Sequence, residues 1–377
     1  MRKVAVVFGG RSCENEISVL TGIFALNVLD RAAYELLPVY AHTDGGLYTS
    51  PKMFSLEVFR TGGCEKFQQI FFDKGTVYAL NTKKGRAKPL FQPDVILNCC
   101  HGGIGEGGGV SALAEWNRIP LASPDITPSS IFMDKCLTKV VLRGLNIPVV
   151  DYIRVNEADY RKRGAFLLKR IENRLKYPVI VKPAHLGSSI GIAVANNEVE
   201  AKQALETAFQ LDGRVLIEKY LPNKMDVNCA AYALNGEIFV SEPEYAFGDG
   251  VYSFEDKYIK RTADGVRSKG QNNEKQRGRY VVKGDLREKI RAYTRTVYKR
   301  MDLQGVVRMD YLVSGDAVYL CEVNTVPGSL AYYLFCERVT DARTFFAALL
   351  EEAVKKGEDE KKILSTGILR SVSMARK

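Results

Sequence analysis

The sequence predicts an α/β block followed by two α+β blocks. An N-terminal parallel-sheet domain is expected over residues 1–126, a central domain over 127–214 and a C-terminal domain over 215–377. Three observations lead there. A chain of 377 residues is too long for one hydrophobic core and divides into domains. In its first third, apolar runs alternate with helical patterns, as parallel strands with helices packed on their sheet require. In the last third the apolar runs come in pairs joined by tight turns, which marks antiparallel hairpins.

Taken in order, "KVAVVFGG" is a strand, "ENEISVLTGIFALNVLD" an amphipathic helix, "YELLPVYAHT" a strand, "PDVILNCCHGG" a strand and "GVSALAEWNRI" a helix. Ligands of such sheets lie beyond the carboxyl ends of the strands, where "FGGRS" and "CCHGGIGEGGG" fall. One helix is expected over 129–143, stopped by Gly144. The strands "IPVVDYIRV", "YPVIVKPA" and "IGIAVA" come next, then a helix over "NEVEAKQALETAFQL" and the strand "RVLIEKYL". The remainder holds the hairpins "VNCAAYALNGEIFVSE", with an Asn-Gly turn, and "GVVRMDYLVSGDAVYLCEVN", with a Ser-Gly-Asp turn. Helices over "DLREKIRAYTRTVYKRM" and from Thr344 to Lys356 complete it.

A hydrophobic share of 46% and a charged share of 26% are those of an ordinary globular protein. No apolar run reaches the roughly 18 residues of a membrane span, so no membrane partner is expected. "MRKVAVVFGG" has too short an apolar run for a secretory signal. The 8 cysteines are scattered, without a CxxC pair, and with 3 histidines they form no zinc pattern. Free thiols in a reducing cytoplasm follow. The net charge of +10 suits nucleic acid or small polyanions. Its densest part, from Lys257 to Lys283, carries nine basic and two acidic residues in a Gly-rich stretch, expected within a mobile loop over 247–282. It lacks the aromatic interleaving of a nucleic-acid platform, so small polyanions are expected instead.

In "YPVIVKPAHLGSSIGIAV" a lysine, Lys182, sits inside an apolar β-branched run, and a small-residue tip follows. A lysine there is costly unless it meets an anion. The Gly-Ser-Ser tip offers backbone N–H groups and hydroxyls to a phosphate. An edge-strand lysine beside an ordinary polar turn is the plainer alternative. In "RMDYLVSGDAVYLCEVN", Arg308 and Asp310 share one strand face, and Glu322 and Asn324 share a face of the next. A hairpin can gather Asp310, Glu322 and Asn324 as a magnesium-type set of hard oxygen donors. The alternative is a cross-strand ladder in which Arg308 balances the carboxylates. In "VLIEKYL", Glu218 and Lys219 follow an apolar run, placed to reach an adenine edge, and Asp226 suits a ribose hydroxyl.

The ordered set "GGRSCENEIS", "HGGIGEGGG", "MDKCLTK", "YPVIVKPAHLGSSIGI", "VLIEKYL", "RMDYL" and "EVNTVPG" spans residues 1 to about 335. It resembles the ATP-grasp superfamily and, within it, the D-alanine–D-alanine ligase family. The resemblance implies a three-domain ATP-grasp architecture, with two α+β domains clamping ATP. It implies ATP as cosubstrate, two magnesium ions (or manganese), D-alanine as substrate, a cytoplasmic place in peptidoglycan synthesis and a homodimer. It implies that one D-alanine carboxylate takes the γ-phosphate of ATP and that the amine of a second displaces it. Lys135, Lys182 and Lys257 would hold phosphates, and Glu218, Lys219, Leu221 and Asp226 the rest of ATP. Glu14, Ser188 and Tyr258 would form one hydrogen-bonded set, with Glu14 at the first ammonium and His101 near its carboxylate. Arg308 and the Gly328 N–H would stabilise the oxyanion, and Asp310, Glu322 and Asn324 would ligate the metal. Tyr258 points to dipeptide rather than D-lactate chemistry.

The chain departs from the family in three places. Gly107 stands where the family's "GEDG" has an acid. Asp226 replaces a glutamate after a one-residue shift. Tyr333 falls where a serine would bind the second substrate's carboxylate, with Ser329 the nearest serine. The departures leave two alternatives: a ligase of the same fold with another second substrate, and a non-catalytic nucleotide-binding paralogue.

Overall fold

The computed structural model describes residues 1–60, 66–81, 83–246 and 281–357, with positions 366 and 368. The expected sites Lys257 and Tyr258 lie outside the described residues. The N-terminal part runs β1 (Arg2–Gly9), α1 (Asn15–Val28), β2 (Tyr34–Ala41), β3 (Leu47–Thr49), α2 (Glu57–Arg60), β4 (Gln68–Asp73), β5 (Thr76–Asn81), β6 (Arg86–Phe91), β7 (Val95–Asn98) and α3 (Val110–Trp116). It forms a 7-stranded sheet in the order β6-β5-β4-β3-β2-β1-β7. Strand β1 pairs in parallel with β2 and β7, as "VAVVF" and "VILN" demand by being apolar on both faces. An antiparallel meander, β3 to β6, extends the parallel part.

The middle of the chain contributes α4 (Ile126–Met133), α5 (Lys135–Gly144), β8 (Tyr152–Asn156), α6 (Glu157–Leu175), β9 (Val179–Pro183), β10 (Ala193–Ala195), α7 (Glu198–Phe209) and β11 (Arg214–Lys219). The single helix expected over 129–143 is two. Asp134 is extended, at φ −96° and ψ 108°, and its carboxylate caps the second by accepting from the N–H groups of Cys136 and Leu137. Strand β11 pairs antiparallel with β8 and β9, so it belongs to the central sheet, past the division expected at 214. Helix α6, which the pattern reading passes over, covers that sheet with α7 through Leu167, Ile171, Leu205 and Phe209.

The last part holds β12 (Met225–Leu234), β13 (Glu237–Val240), β14 (Glu244–Tyr245), α8 (Gly284–Arg300), β15 (Val307–Ser314), β16 (Ala317–Asn324) and α9 (Ala342–Gly357). Asn235 and Gly236 both have positive φ, 52° and 81°, the geometry a two-residue hairpin needs and the reason for Asn-Gly there. The parts interlock. Phe132 and Leu142 of α4 and α5 join the core of the last sheet. Leu330, Tyr332 and Phe346 pack with Phe8 and Leu26, so the C-terminal segment closes the N-terminal core.

Candidate active site

One cleft between the central and last sheets is lined by Lys135, Lys182, Lys219, Leu221, Asp226, Asp310, Cys321 and Glu322, among others, with about 940 Å³ of empty space open to solvent. Strand β9 carries Lys182 into it, buried. Its Nζ ion-pairs with Glu218 of β11, whose other oxygen lies 2.7 Å from Nζ of Lys139 on α5. Burial alone would raise the Glu218 carboxyl, but the two ammonium groups hold it down to about 2. Burial would likewise lower Lys182, yet Cys321, Glu218 and Glu322 keep it above the ordinary lysine range. The cleft floor therefore presents a permanent cation, held in place by an internal acid.

This alters the expectation for Glu218. Its carboxylate is engaged by lysines inside the protein, so any contact to a base falls to the backbone and to Lys219 and Leu221, which line the cleft. Lys224 lies 2.5 Å from Asp226, and both line the cleft mouth. Lys135 starts α5 and donates from Nζ to the Leu186 carbonyl at 2.6 Å, tying the helix to the Gly-Ser-Ser loop.

The hairpin β15–β16 sets Arg308 opposite Asn324 and Asp310 opposite Glu322, with a register shift after Asp310. Arg308 donates to both Asp310 oxygens, from Nε at 2.7 Å and Nη2 at 2.8 Å, and Asn324 donates to Asp310 at 3.0 Å. Arg308 also donates from Nη1 to the Tyr333 hydroxyl at 3.1 Å. Burial would lower its pKa, but Asp310 and Tyr333 hold it above the arginine range, so it stays charged. The hairpin thus realises the ladder in which Arg308 balances an acid, and sets Glu322 beside it. Asp310, Glu322 and the Asn324 amide oxygen are the hard oxygen donors here that could hold a metal ion. Among the described residues no cluster of three His, Cys, Asp or Glu side chains forms.

At the carboxyl ends of β1 and β7 the third group assembles. Ser188 donates to Glu14, which precedes α1, and a side chain at Gly187 would run into that carboxylate. His101 is buried between two partners, the Val326 carbonyl at 2.7 Å from Nδ1 and the Thr21 hydroxyl at 2.7 Å from Nε2. A carbonyl only accepts, so Nδ1 carries the proton and Nε2 accepts from Thr21. Thr21 in turn accepts from the Ser329 N–H at 3.1 Å. Burial, against the Val326 bond, pushes His101 down to about 4, so the ring is neutral. His101 therefore positions the 326–329 turn, with both ring nitrogens engaged inside the protein. Gly328 opens that turn, and Ser329, Leu330 and Ala331 follow at φ of 51°, 52° and 48°.

Sequence reasoning missed Lys139, Glu106 and Thr21. Glu106 accepts from the Gly102 N–H at 2.8 Å and the Val326 N–H at 3.1 Å, and burial with the nearby Glu14 charge raises it to about 7. Lys139 had a signal: it lies four residues after Lys135, on the same helix face.

A chain of three sheets, two of them flanking a lysine-floored cleft with an acid hairpin at its side, defines an ATP-grasp protein. Two family models match the chain, D-ala D-ala ligase N-terminus over residues 3–124 and D-ala D-ala ligase C-terminus over 141–355. The chain belongs to the D-alanine–D-alanine ligase family. A D-alanine–D-alanine ligase of Nitratiruptor sp. is 32% identical over 375 residues, 99% of each chain. The crystal structure of D-alanine–D-alanine ligase from Helicobacter pylori superposes with a TM-score of 0.74 at 26% identity, covering 96% of this chain and 100% of that one. The Bacillus anthracis enzyme, crystallised with ATP, shares the fold, with a TM-score of 0.63 at 21% identity over 96% of this chain and 100% of that one.

Proposed function

We propose that the protein joins two D-alanines at the expense of ATP, in the cytoplasm, to make the D-alanyl-D-alanine of peptidoglycan precursors. Family membership supports the class of reaction. The observation that carries the reading is that Lys135, Lys182, Asp310 and Glu322 line one cleft. Cations that take phosphates thus face oxygen donors that take a metal.

In this account Lys135 and Lys182 neutralise the phosphates of ATP, and the N–H groups of Ser188 and Ser189 receive the γ-phosphate, while the Ser188 hydroxyl stays on Glu14. Lys219, Leu221 and Asp226 hold the nucleoside. Glu14 pairs with the ammonium of the first D-alanine and orients its carboxylate toward the γ-phosphorus. That carboxylate oxygen bonds to phosphorus as the bond to ADP breaks, giving D-alanyl phosphate. The amine of the second D-alanine then bonds to the carbonyl carbon. Arg308 and the Gly328 N–H stabilise the resulting oxyanion, and the C–O bond to phosphate breaks. Asp310, Glu322 and Asn324 would hold magnesium, which supplies charge neutralisation to the transferring phosphoryl group. Lys257 and Tyr258, outside the described residues, are the ones the family resemblance would add to the phosphate and Glu14–Ser188 sets.

Tyr333 favours a second reading of the acceptor only. Its hydroxyl on Arg308 fills the place where a serine was expected, so a second substrate other than D-alanine fits the same mechanism. Phosphate release from purified protein, ATP, Mg²⁺ and D-alanine, with product mass, tests both. A D-alanyl-D-alanine mass supports the main reading. Turnover only when another amine or hydroxy acid is added moves the acceptor, and ATP binding without turnover refutes ligation.

A further inference from the structure

The mechanism above leaves unused a charged cluster at the root of the Gly-Ser-Ser loop. His185 follows β9 by two residues. Its Nδ1 lies 3.0 Å from both oxygens of Asp212, and its backbone N–H donates to Asp212 at 2.7 Å. Its Nε2 lies 3.4 Å from Asp134, the residue that caps α5 and also pairs with Arg214. Carboxylates only accept, so a ring that faces one on each nitrogen carries both protons and is an imidazolium. Arg214, which pairs with Asp134, is the further charge beside it.

The cluster sits where the loop needs holding. Ser188 and Ser189 both have left-handed backbones, φ 53° and 62°, which costs about 1 kcal/mol or more each unless surrounding contacts impose it. The neighbouring Leu186 carbonyl takes the Lys135 ammonium, and Lys135 follows Asp134 directly. Loop, helix start and lysine are therefore one mechanical unit, fastened at His185.

We propose that His185, held as an imidazolium between Asp134 and Asp212, is a positioning residue that fixes the 187–189 loop and Lys135 for the phosphates of the nucleotide. The proposal rests on ATP being the substrate. Hydrogen bonds donated to both acids, against partial burial, raise His185 to about 9. A raised pKa means that the fastening is fully present below the ordinary histidine range and is lost as pH rises through about 9.

The test is calorimetric titration of the full chain with MgATP, alongside steady-state kinetics, for wild type, His185→Gln and His185→Lys between about pH 7 and 10. At neutral pH His185→Gln weakens ATP affinity and raises the KM for ATP about fivefold, with kcat and melting temperature near those of wild type. Wild-type affinity falls above about pH 9, that of His185→Gln stays level, and His185→Lys restores affinity and shifts the fall upward. Equal ATP affinity in wild type and His185→Gln, or a wild-type affinity flat across this range, overturns the proposal. A joint loss of kcat and melting temperature with ATP affinity unchanged overturns it too. The wild-type profile decides even where a variant does not fold. Tight ATP binding without D-alanine-dependent phosphate release would refute ligation alone, and the titration would still decide the role of His185.

Discussion

Replacing Glu218 by glutamine leaves the ammonium groups of Lys139 and Lys182 buried against a neutral amide. The cost can be worked from the carboxyl itself. Two lysines bring it from 4.5 to about 2, and each pKa unit is worth about 1.4 kcal/mol, so the differential interaction is about 3 kcal/mol. Loss of one partner of a buried pair costs about 3–5 kcal/mol, so the two routes agree. A depressed carboxyl contributes its stability above the unfolded value, near 4.5, and loses it as pH falls toward about 2. At neutral pH the whole contribution is therefore present, and Glu218→Gln lowers the melting temperature by about 5 °C or more. The double variant Glu218→Gln/Lys182→Met removes one orphaned charge with its acid and recovers part of the loss. Calorimetry at neutral pH and again near pH 3, where the difference between parent and variant narrows, is the assay. An unchanged melting temperature at neutral pH refutes the claim that Glu218 balances the lysines.

Three further outcomes are expected. Glu106, raised to about 7, makes the protein less stable as pH climbs from about 5 to 7, because the folded state holds its proton longer than the unfolded chain; Glu106→Gln flattens that slope in urea titrations. Tyr333→Phe removes the hydroxyl that accepts from Arg308 and changes the KM for the second substrate about tenfold while leaving that for ATP near its original value, read in steady-state kinetics. Chelation of divalent cations abolishes phosphate release, magnesium restores it, and Asp310→Asn raises the magnesium concentration needed, measured as half-saturation in the same assay.

Much of this site is legible from residue chemistry alone. A lysine between "PVIV" and "PA" demands an anion, and in the structure one is there. That its resident partner is Glu218 depends on β11 pairing with β9, a register that no local pattern encodes. The hairpin turns are legible because Asn-Gly and Ser-Gly-Asp have few other uses. The break between α4 and α5 had its signal in Asp134, a capping residue just before a helical run, masked by the apolar run "IFM" that precedes it. Strand β6 escapes notice because it is largely exposed, "RAKPLF" burying only Phe91. His101 could be placed at the site from the Gly-rich motif, but not given its partners, since Val326 lies 225 residues away.

The central claim is that an oxygen of the first substrate's carboxylate attacks the γ-phosphorus and leaves with phosphate. D-alanine labelled with ¹⁸O in its carboxylate, incubated with enzyme, ATP and Mg²⁺, tests it directly by mass analysis of the phosphate released. One labelled oxygen in each phosphate formed with dipeptide is the predicted result. Unlabelled phosphate, or label that stays entirely in the dipeptide, contradicts it.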